Sequence, residues 1–232
     1  MNILMIDTSG PACGVAIAKE GRIICEMQLT SGKTHSQRVM PMVSSALDMC
    51  EMSVSDIDLF GVVVGPGSFT GVRIGVCAAK GLAHAWNKKC ARLDALEVLA
   101  MNYQGFDGIA CAILDARRSQ VYCAAFDMKN GLPERILPDD AMEIGAFLEK
   151  LPRDRRLVFL GDGLRVHEKR IRETLPQALI APANLSQLRA DAACLLAAER
   201  KDTWMEARLL TPIYLRIPQA ERERNARLRG EI

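Results

Sequence analysis

Residues 59–86 have the sequence LFGVVVGPGSFTGVRIGVCAAKGLAHAW, and this stretch decides the fold. The apolar run at residues 59–64 is typical of a buried strand, and residues 71–86 carry apolar side chains at helical spacing. The glycines in residues 65–67 mark a turn between the two. A buried strand that passes through a short turn into a helix is typical of α/β proteins.

The turn before this helix has two interpretations. Backbone N–H groups near Ser68 and Thr70 could bind a phosphate, helped by the helix dipole. Alternatively, the turn is only a tight connection in which Ser68 or Thr70 caps the helix. General physical chemistry favours the second interpretation. The spacing matches neither a Walker A loop nor the G-x-S-x-G turn of a nucleophilic serine.

Small residues form one ridge along the predicted helix, because Gly71, Gly75, Ala79 and Ala83 recur at every fourth position. A glycine inside a helix costs about 1 kcal/mol relative to alanine, so close packing should compensate for it. The ridge could pack on the chain's own sheet or on a helix of another protein. The sequence alone leaves both interpretations open.

The second half of the sequence repeats the pattern of the first. One apolar run ends at Asp7 and another at Asp115, while later runs end at the glycine turns of residues 65–67 and 161–163. Carboxylates at strand ends can bind Mg²⁺ and phosphate, although such acids are more often simply solvated. We therefore treat Asp7, Asp115 and the turn of Gly161, Asp162 and Gly163 as candidate phosphate-binding groups.

The repeat predicts two related α/β lobes with a cleft between them. We place the first lobe at residues 1–104 and the second at residues 105–217. Within the second lobe we expect a helix at about residues 140–151. Residues 218–232 are mostly charged and lack an apolar stripe, which predicts a disordered tail.

The composition excludes several classes of protein. The chain has 232 residues, of which 49% are hydrophobic and 25% charged, so it is neither disordered nor fibrous. A net charge of +2 and 5% aromatic residues give no general preference for nucleic acid. Eight cysteines without a C-x-x-C pair and three widely spaced histidines argue against a zinc site. No apolar run reaches membrane-spanning length, and the N-terminus does not resemble a signal peptide, so we expect a cytoplasmic protein.

Five segments, taken in order, resemble the TsaB family, formerly called YeaZ. They are residues 6–9 (IDTS), 35–37 (HSQ), 65–75 (GPGSFTGVRIG), 114–117 (LDAR) and 214–216 (YLR), which span nearly the whole chain. The resemblance implies an ASKHA fold, in which two duplicated RNase H-like lobes form an actin-, Hsp70- or sugar-kinase-like molecule. It also implies a role in making N6-threonylcarbamoyladenosine (t6A) next to the anticodon of tRNAs that read ANN codons.

The resemblance also implies partners. In this pathway the paralogue TsaD transfers the threonylcarbamoyl group, TsaB pairs with TsaD, and TsaE supplies an ATPase function through the TsaB–TsaD complex. We expect a homodimer when TsaD is absent, indirect contact with tRNA, and no membrane. No cofactor is required, and weak binding of ATP or ADP stays open.

One comparison within the family separates an enzyme from a partner subunit. TsaD proteins carry an N-H-L-E-G-H type stretch whose two histidines bind the metal. The matching stretch here is residues 94–99, DALEVL, which has Ala95 and Leu99 at the histidine positions. Neither side chain can bind a metal, so we expect no metal site and no transfer activity.

The expected partner surface is formed by a helix over residues 35–51 and by the helix of residues 71–86. The contact residues predicted there are His35, Ser36, Val39, Met40, Val43, Leu47, Gly71, Gly75, Ala78, Ala79 and Leu82.

Two alternatives remain. One is an ATP-dependent phosphotransferase that uses Asp7 and Asp162, which rests on the fold alone. The other is a peptidase, which needs a histidine such as His35 or His84 beside Ser68 or a cysteine.

Overall fold

The computed structural model describes residues 1–30 and 34–216, and the predicted tail at residues 218–232 lies outside the described residues. The described residues form eleven strands. The strands are β1 (Asn2–Asp7), β2 (Cys13–Lys19), β3 (Arg22–Leu29), β4 (Leu59–Val63), β5 (Lys89–Leu93), β6 (Ile109–Asp115), β7 (Gln120–Asp127), β8 (Glu134–Glu143), β9 (Leu157–Leu160), β10 (Leu179–Ile180) and β11 (Trp204–Glu206).

The strands form two sheets with the same internal order. The first sheet runs β11-β5-β4-β1-β2-β3, and the second runs β10-β9-β6-β7-β8. In the first, β1, β2 and β3 pair antiparallel while β4 and β5 continue parallel to β1. In the second, β6, β7 and β8 pair antiparallel while β9 and β10 are parallel to β6. The predicted ASKHA fold with two duplicated lobes is confirmed.

In the part of the chain that the structure describes, six α-helices form layers on these sheets. They are α1 (Val39–Met49), α2 (Phe69–Ala85), α3 (Ala95–Met101), α4 (Ile144–Lys150), α5 (Leu164–Thr174) and α6 (Ala190–Glu199). Helices α1 and α2 cover the outer face of the first sheet, while α4 and α5 cover that of the second. Helices α3 and α6 share one central core with the inner faces of both sheets. The two lobes are therefore joined by buried apolar contacts and not only by the chain.

The prediction of a helix over residues 140–151 is wrong in its first part. Residues up to Glu143 belong to β8, and α4 covers only the later residues. Strand β8 is an edge strand whose residues are exposed or half-buried, so its sequence lacks the apolar alternation that predicts a strand.

The C-terminal part of the chain returns to the first sheet. Strand β11 pairs antiparallel with β5, and α6 packs on β1 and β2. Residues 105–217 were predicted to form the second lobe, but α6 and β11 of this segment pack on the first lobe. Sequence patterns could not show this, because the pairing joins segments that are far apart in the chain.

Candidate functional site

The turn before α2 folds back onto the loop between β1 and β2. Ser68 donates its backbone N–H to the Ser9 carbonyl at 2.7 Å, and its hydroxyl accepts from the Gly71 N–H at 3.2 Å. The interpretation of Ser68 as the helix cap is thus confirmed. Thr70 is exposed and lies on the side of α2 away from this loop, beside α1.

The small-residue ridge of α2 packs on the chain's own first sheet. A Cβ atom on Gly75 would lie 2.5 Å from Thr8 Oγ1 and 3.3 Å from Val62 Cγ2. Gly71 lies against the Thr8 carbonyl, and Ala79 is fully buried. The prediction that Gly71, Gly75 and Ala79 contact a partner is therefore corrected, because these residues let α2 approach β1 and β4.

An exposed groove of about 580 Å³ lies between α1 and α2, and we call it the α1–α2 groove. Four of the predicted contact residues line it: Ser36, Val39, Met40 and Ala78. The sequence missed its other lining residues, which are Phe69, Thr70, Arg73, Ile74 and Cys77. Phe69, Arg73 and Cys77 recur at every fourth position of α2, so a search for the face opposite the glycine ridge would have found them.

The remaining predicted contact residues lie elsewhere. Val43 and Leu47 of α1 are buried against the first sheet, so their assignment as contacts is corrected. Leu82 is half-buried and packs against the same core. His35 faces the cleft between the lobes, where its Nε2 lies 3.0 Å from the Gly10 carbonyl.

The cleft between the lobes contains two neighbouring cavities of about 550 and 490 Å³. Both are lined by Gly10, Pro11, Leu114 and Asp162. Of the candidate phosphate-binding residues, Asp7, Asp115, Ser68, Gly161 and Asp162 line one cavity or both. Thr70 lines the α1–α2 groove instead, and Gly163 is not among the cavity-lining residues. The larger cavity also has a basic side, formed by Arg117, Arg118 and Arg216.

Two of the acidic residues predicted for this cleft, Asp7 and Asp162, accept hydrogen bonds from donors of the protein itself. Asp7 is 2% exposed, and its Oδ1 accepts from the Ser9 N–H at 2.8 Å and the Ser9 hydroxyl at 2.6 Å. Asp162 Oδ1 accepts from the Asp115 N–H at 2.9 Å. Burial raises the pKa of both carboxyls, more than these hydrogen bonds lower it. Ionising either carboxyl therefore costs more free energy in the folded chain than in water.

Helix α3 carries the positions where the resemblance places the metal ligands of TsaD. Ala95 and Leu99 are fully buried in the core that joins the lobes. The acids beside them are paired with arginines of later segments: Asp94 with Arg135 at 3.4 Å, and Glu97 with Arg200 at 2.9 Å. In residues 1–30 and 34–216, no three His, Cys, Asp or Glu side chains are grouped as a metal site requires.

The arrangement gives no support to a serine nucleophile. The Ser68 hydroxyl caps α2, and the His35 ring is hydrogen-bonded to Gly10. Nucleophilic catalysis needs the hydroxyl to be hydrogen-bonded to the histidine. His84 is exposed at the far end of α2, away from Ser68.

Known proteins match this chain over most of its length. A family model described as "TsaD: tRNA N6-adenosine threonylcarbamoyltransferase" matches residues 27–223. The chain is 39% identical over 223 residues to the tRNA threonylcarbamoyladenosine biosynthesis protein TsaB of Bacillus subtilis, which covers 95% of this chain and 96% of the relative. It is 36% identical over 135 residues to TsaB of Escherichia coli, covering 57% and 58% of the two chains.

Solved structures agree with these sequence matches. A structure described as YeaZ from Pseudomonas aeruginosa has a TM-score of 0.78 and 28% identity, and it covers 92% of this chain and 99% of its own. The activator of 2-hydroxyisocaproyl-CoA dehydratase from Clostridium difficile, solved with bound ADPNP, has a TM-score of 0.52 at 13% identity, covering 87% and 96%. The second likeness shows the fold alone. Within the described part of the chain, every helix is too short or too polar to cross a bilayer.

Proposed function

The chain belongs to the TsaB family of tRNA threonylcarbamoyladenosine biosynthesis proteins, and from this premise we propose that it is a non-catalytic partner subunit of the t6A-forming transferase TsaD. The main support for the proposal comes from two side chains of α3. Ala95 and Leu99 stand where the resemblance places the two ligand histidines, and both are buried aliphatic side chains. The chain therefore contributes a docking surface to the reaction.

The α1–α2 groove is the surface that we assign to TsaD. The TsaD family model matches this chain, so the two proteins share a fold. We therefore expect TsaD to contain helices equivalent to α1 and α2. Related subunits commonly pair through the same patch on each copy. Met40 is 42% exposed in the groove and Phe69 lines its wall, which gives an apolar contact area. We expect the same patch to form a homodimer when TsaD is absent.

The further partners that we propose are those that the family resemblance implies. TsaE acts through the TsaB–TsaD complex and supplies the ATPase function, whereas tRNA contacts this chain only indirectly. The protein acts in the cytoplasm without a membrane. No cofactor is needed for its role, and ATP or ADP binds weakly at most, because Asp7 and Asp162 are buried and already hydrogen-bonded within the protein.

A second candidate function is an ATP-dependent phosphotransferase. The interlobe cavity of about 550 Å³ with its three arginines favours it, since such a site can accept phosphate groups. Calorimetric titration with Mg·ATP separates the two functions. Low-micromolar binding together with turnover by the isolated chain would favour the phosphotransferase, and the absence of both would favour the partner subunit.

The native Cys77 offers a direct test of the docking surface. Its thiol is exposed and lines the α1–α2 groove, whereas Cys50 is partly buried and does not line it. The rate of alkylation of each cysteine is measured by mass spectrometry with and without an excess of TsaD. Docking in the groove should slow alkylation of Cys77 at least about tenfold while Cys50 is unchanged. A complex seen by gel filtration in which Cys77 stays fully reactive would place the interface elsewhere.

A further inference from the structure

A short segment near the C-terminus crosses from one lobe to the other, and we call residues 213–216 the strap. At its start, Ile213 donates its N–H to the Val64 carbonyl at 2.8 Å, which attaches it to the first lobe. At its end, Arg216 donates from Nη1 to the Ala116 carbonyl at 2.8 Å, which attaches it to the second lobe. All four strap residues line the larger interlobe cavity.

The strap passes so close to the end of β4 that only glycine fits there. Gly65 has a φ of +113°, which disfavours any other residue. A Cβ atom at this position would also lie 2.7 Å from the Ile213 carbonyl oxygen. The strap is therefore closely packed against the glycine turn.

The middle of the strap is fastened to α2 by an aromatic and cationic cluster. Arg73 donates from Nε to the Tyr214 hydroxyl at 2.7 Å. Its guanidinium carbon lies 3.8 Å from the centre of the Phe69 ring and 5.6 Å from that of Tyr214. The rings of Phe69 and Tyr214 are themselves 4.9 Å apart. These contacts supply stacking, cation–π attraction and a charge-assisted hydrogen bond at one point.

This cluster lies between the α1–α2 groove and the larger interlobe cavity. Phe69 lines both the α1–α2 groove and the larger interlobe cavity, while Arg73 lines the groove and Tyr214 lines the interlobe cavity. Both Phe69 and Arg73 line the groove, so a protein that docks there can contact either side chain. Each of these side chains also holds Tyr214, and Arg216 two residues later holds the second lobe.

We propose that the strap is a latch that couples the α1–α2 groove to the interlobe cleft. A partner in the groove contacts Phe69 and Arg73 and restricts their motion. Because both side chains contact Tyr214, this also restricts Tyr214. The hydrogen bond from Arg216 to the Ala116 carbonyl is stabilised as a result. The exposed guanidinium suits a partner that offers a carboxylate. Because such coupling is reciprocal, a ligand that orders the strap from the cleft side strengthens docking by the same factor. The identity of the partner rests on the proposed function, whereas the latch itself is a property of this chain.

The first test uses the full-length chain without a partner. Amide hydrogen exchange is followed by mass spectrometry in the wild type, in Arg73→Met and in Tyr214→Leu, with Arg172→Met as a control for loss of a surface arginine. The latch predicts that both test variants speed exchange of the Ile213 amide, which is hydrogen-bonded to Val64, about tenfold, as expected for losing roughly 1–2 kcal/mol of contacts. It also predicts faster exchange at residues 116–120 in the second lobe, which Arg73 and Tyr214 do not hydrogen-bond. Unchanged exchange at residues 116–120 would overturn the coupling.

The second test adds TsaD, and complex formation is checked separately by gel filtration. Docking should slow strap exchange in the wild type but have less than a third of that effect in Arg73→Met. If the complex forms and strap exchange in the wild type is unchanged, the latch is wrong while the proposed function stands. If no complex forms, the proposed function fails, and the first test alone decides on the latch.

Discussion

Leu99 packs directly on Gly161: a Cβ atom added to this glycine would lie 2.9 Å from Leu99 Cδ2. This contact joins α3 to the turn after β9, at the boundary between the two lobes. In the paralogue the position of Leu99 belongs to a metal-binding histidine, according to the family resemblance. Here the same position stabilises the core that joins the lobes.

Restoring histidine at both positions of α3 should not restore a metal site. Ala95→His and Leu99→His together place two imidazoles in a fully buried core, and we expect a loss of about 2–5 kcal/mol in the free energy of unfolding. Chemical denaturation measures the loss, and metal analysis after dialysis against zinc measures binding. The volume-conserving control Leu99→Met should cost less than about 1.5 kcal/mol. Stoichiometric zinc in a stable double variant would contradict this prediction, because it would show that the site lacks only its two histidines.

Two glycines of α2 should respond in opposite directions to the same substitution. Gly75→Ala should destabilise the chain by about 1–3 kcal/mol, because the new Cβ would crowd Thr8 Oγ1. Gly81→Ala should stabilise it by up to about 1 kcal/mol, because nothing lies within 4 Å and alanine favours the helix. Thermal unfolding of both variants measures these effects, since each kcal/mol shifts the melting temperature by about 2–4 °C. Equal effects would mean that α2 does not rest on the sheet through its glycine ridge.

Two methionines of α1 separate the docking surface from the rest of the helix. Met40 lines the α1–α2 groove, whereas Met49 is 75% exposed and lies outside it. Met40→Arg should weaken binding to TsaD at least about a hundredfold, because an unpaired charge in an interface costs several kcal/mol. Met49→Arg should change the dissociation constant less than about threefold. Calorimetry on both variants measures this, and the reverse order of effects would assign docking to another face.

The stability of the chain should depend on the ionisation of Asp7. Burial raises the pKa of this carboxyl above its unfolded value, so ionisation weakens the folded state as the pH rises between the two values. Asp7→Asn keeps an oxygen that can accept from Ser9 and removes the buried charge. The variant should be more stable than the wild type at pH 8, and this advantage should disappear near pH 3. Asp48→Asn, at an exposed position of α1, serves as the control. A variant less stable than the wild type at pH 8 would mean that the charge itself is needed.

Local patterns predicted most of the fold. The buried strands β1, β4, β6 and β9 and the helix α2 follow from apolar runs, glycine turns and helical spacing, which act between neighbours in the chain. Strand β8 was missed because an edge strand needs no buried face. The return of β11 to β5 was missed because strand pairing over a long sequence distance leaves no local signal.

The candidate site was predicted less completely than the fold. Helical spacing identified α2 as a packing surface, but it could not say which face meets the chain's own sheet and which meets a partner. The structure places Gly75 inward and Cys77 outward. The cluster of Arg73 and Tyr214 joins residues 141 positions apart, so no spacing rule could have found it.

The most direct test of the account is reconstitution of t6A formation on an ANN-decoding tRNA, with threonylcarbamoyl-AMP as donor and TsaE and ATP present throughout. This chain, TsaD and the two together are assayed, with the modified nucleoside measured by mass spectrometry. We expect no product from this chain alone, little from TsaD alone, and at least about tenfold more from the pair. Product formed by this chain alone, or equal product with and without it, would contradict the account.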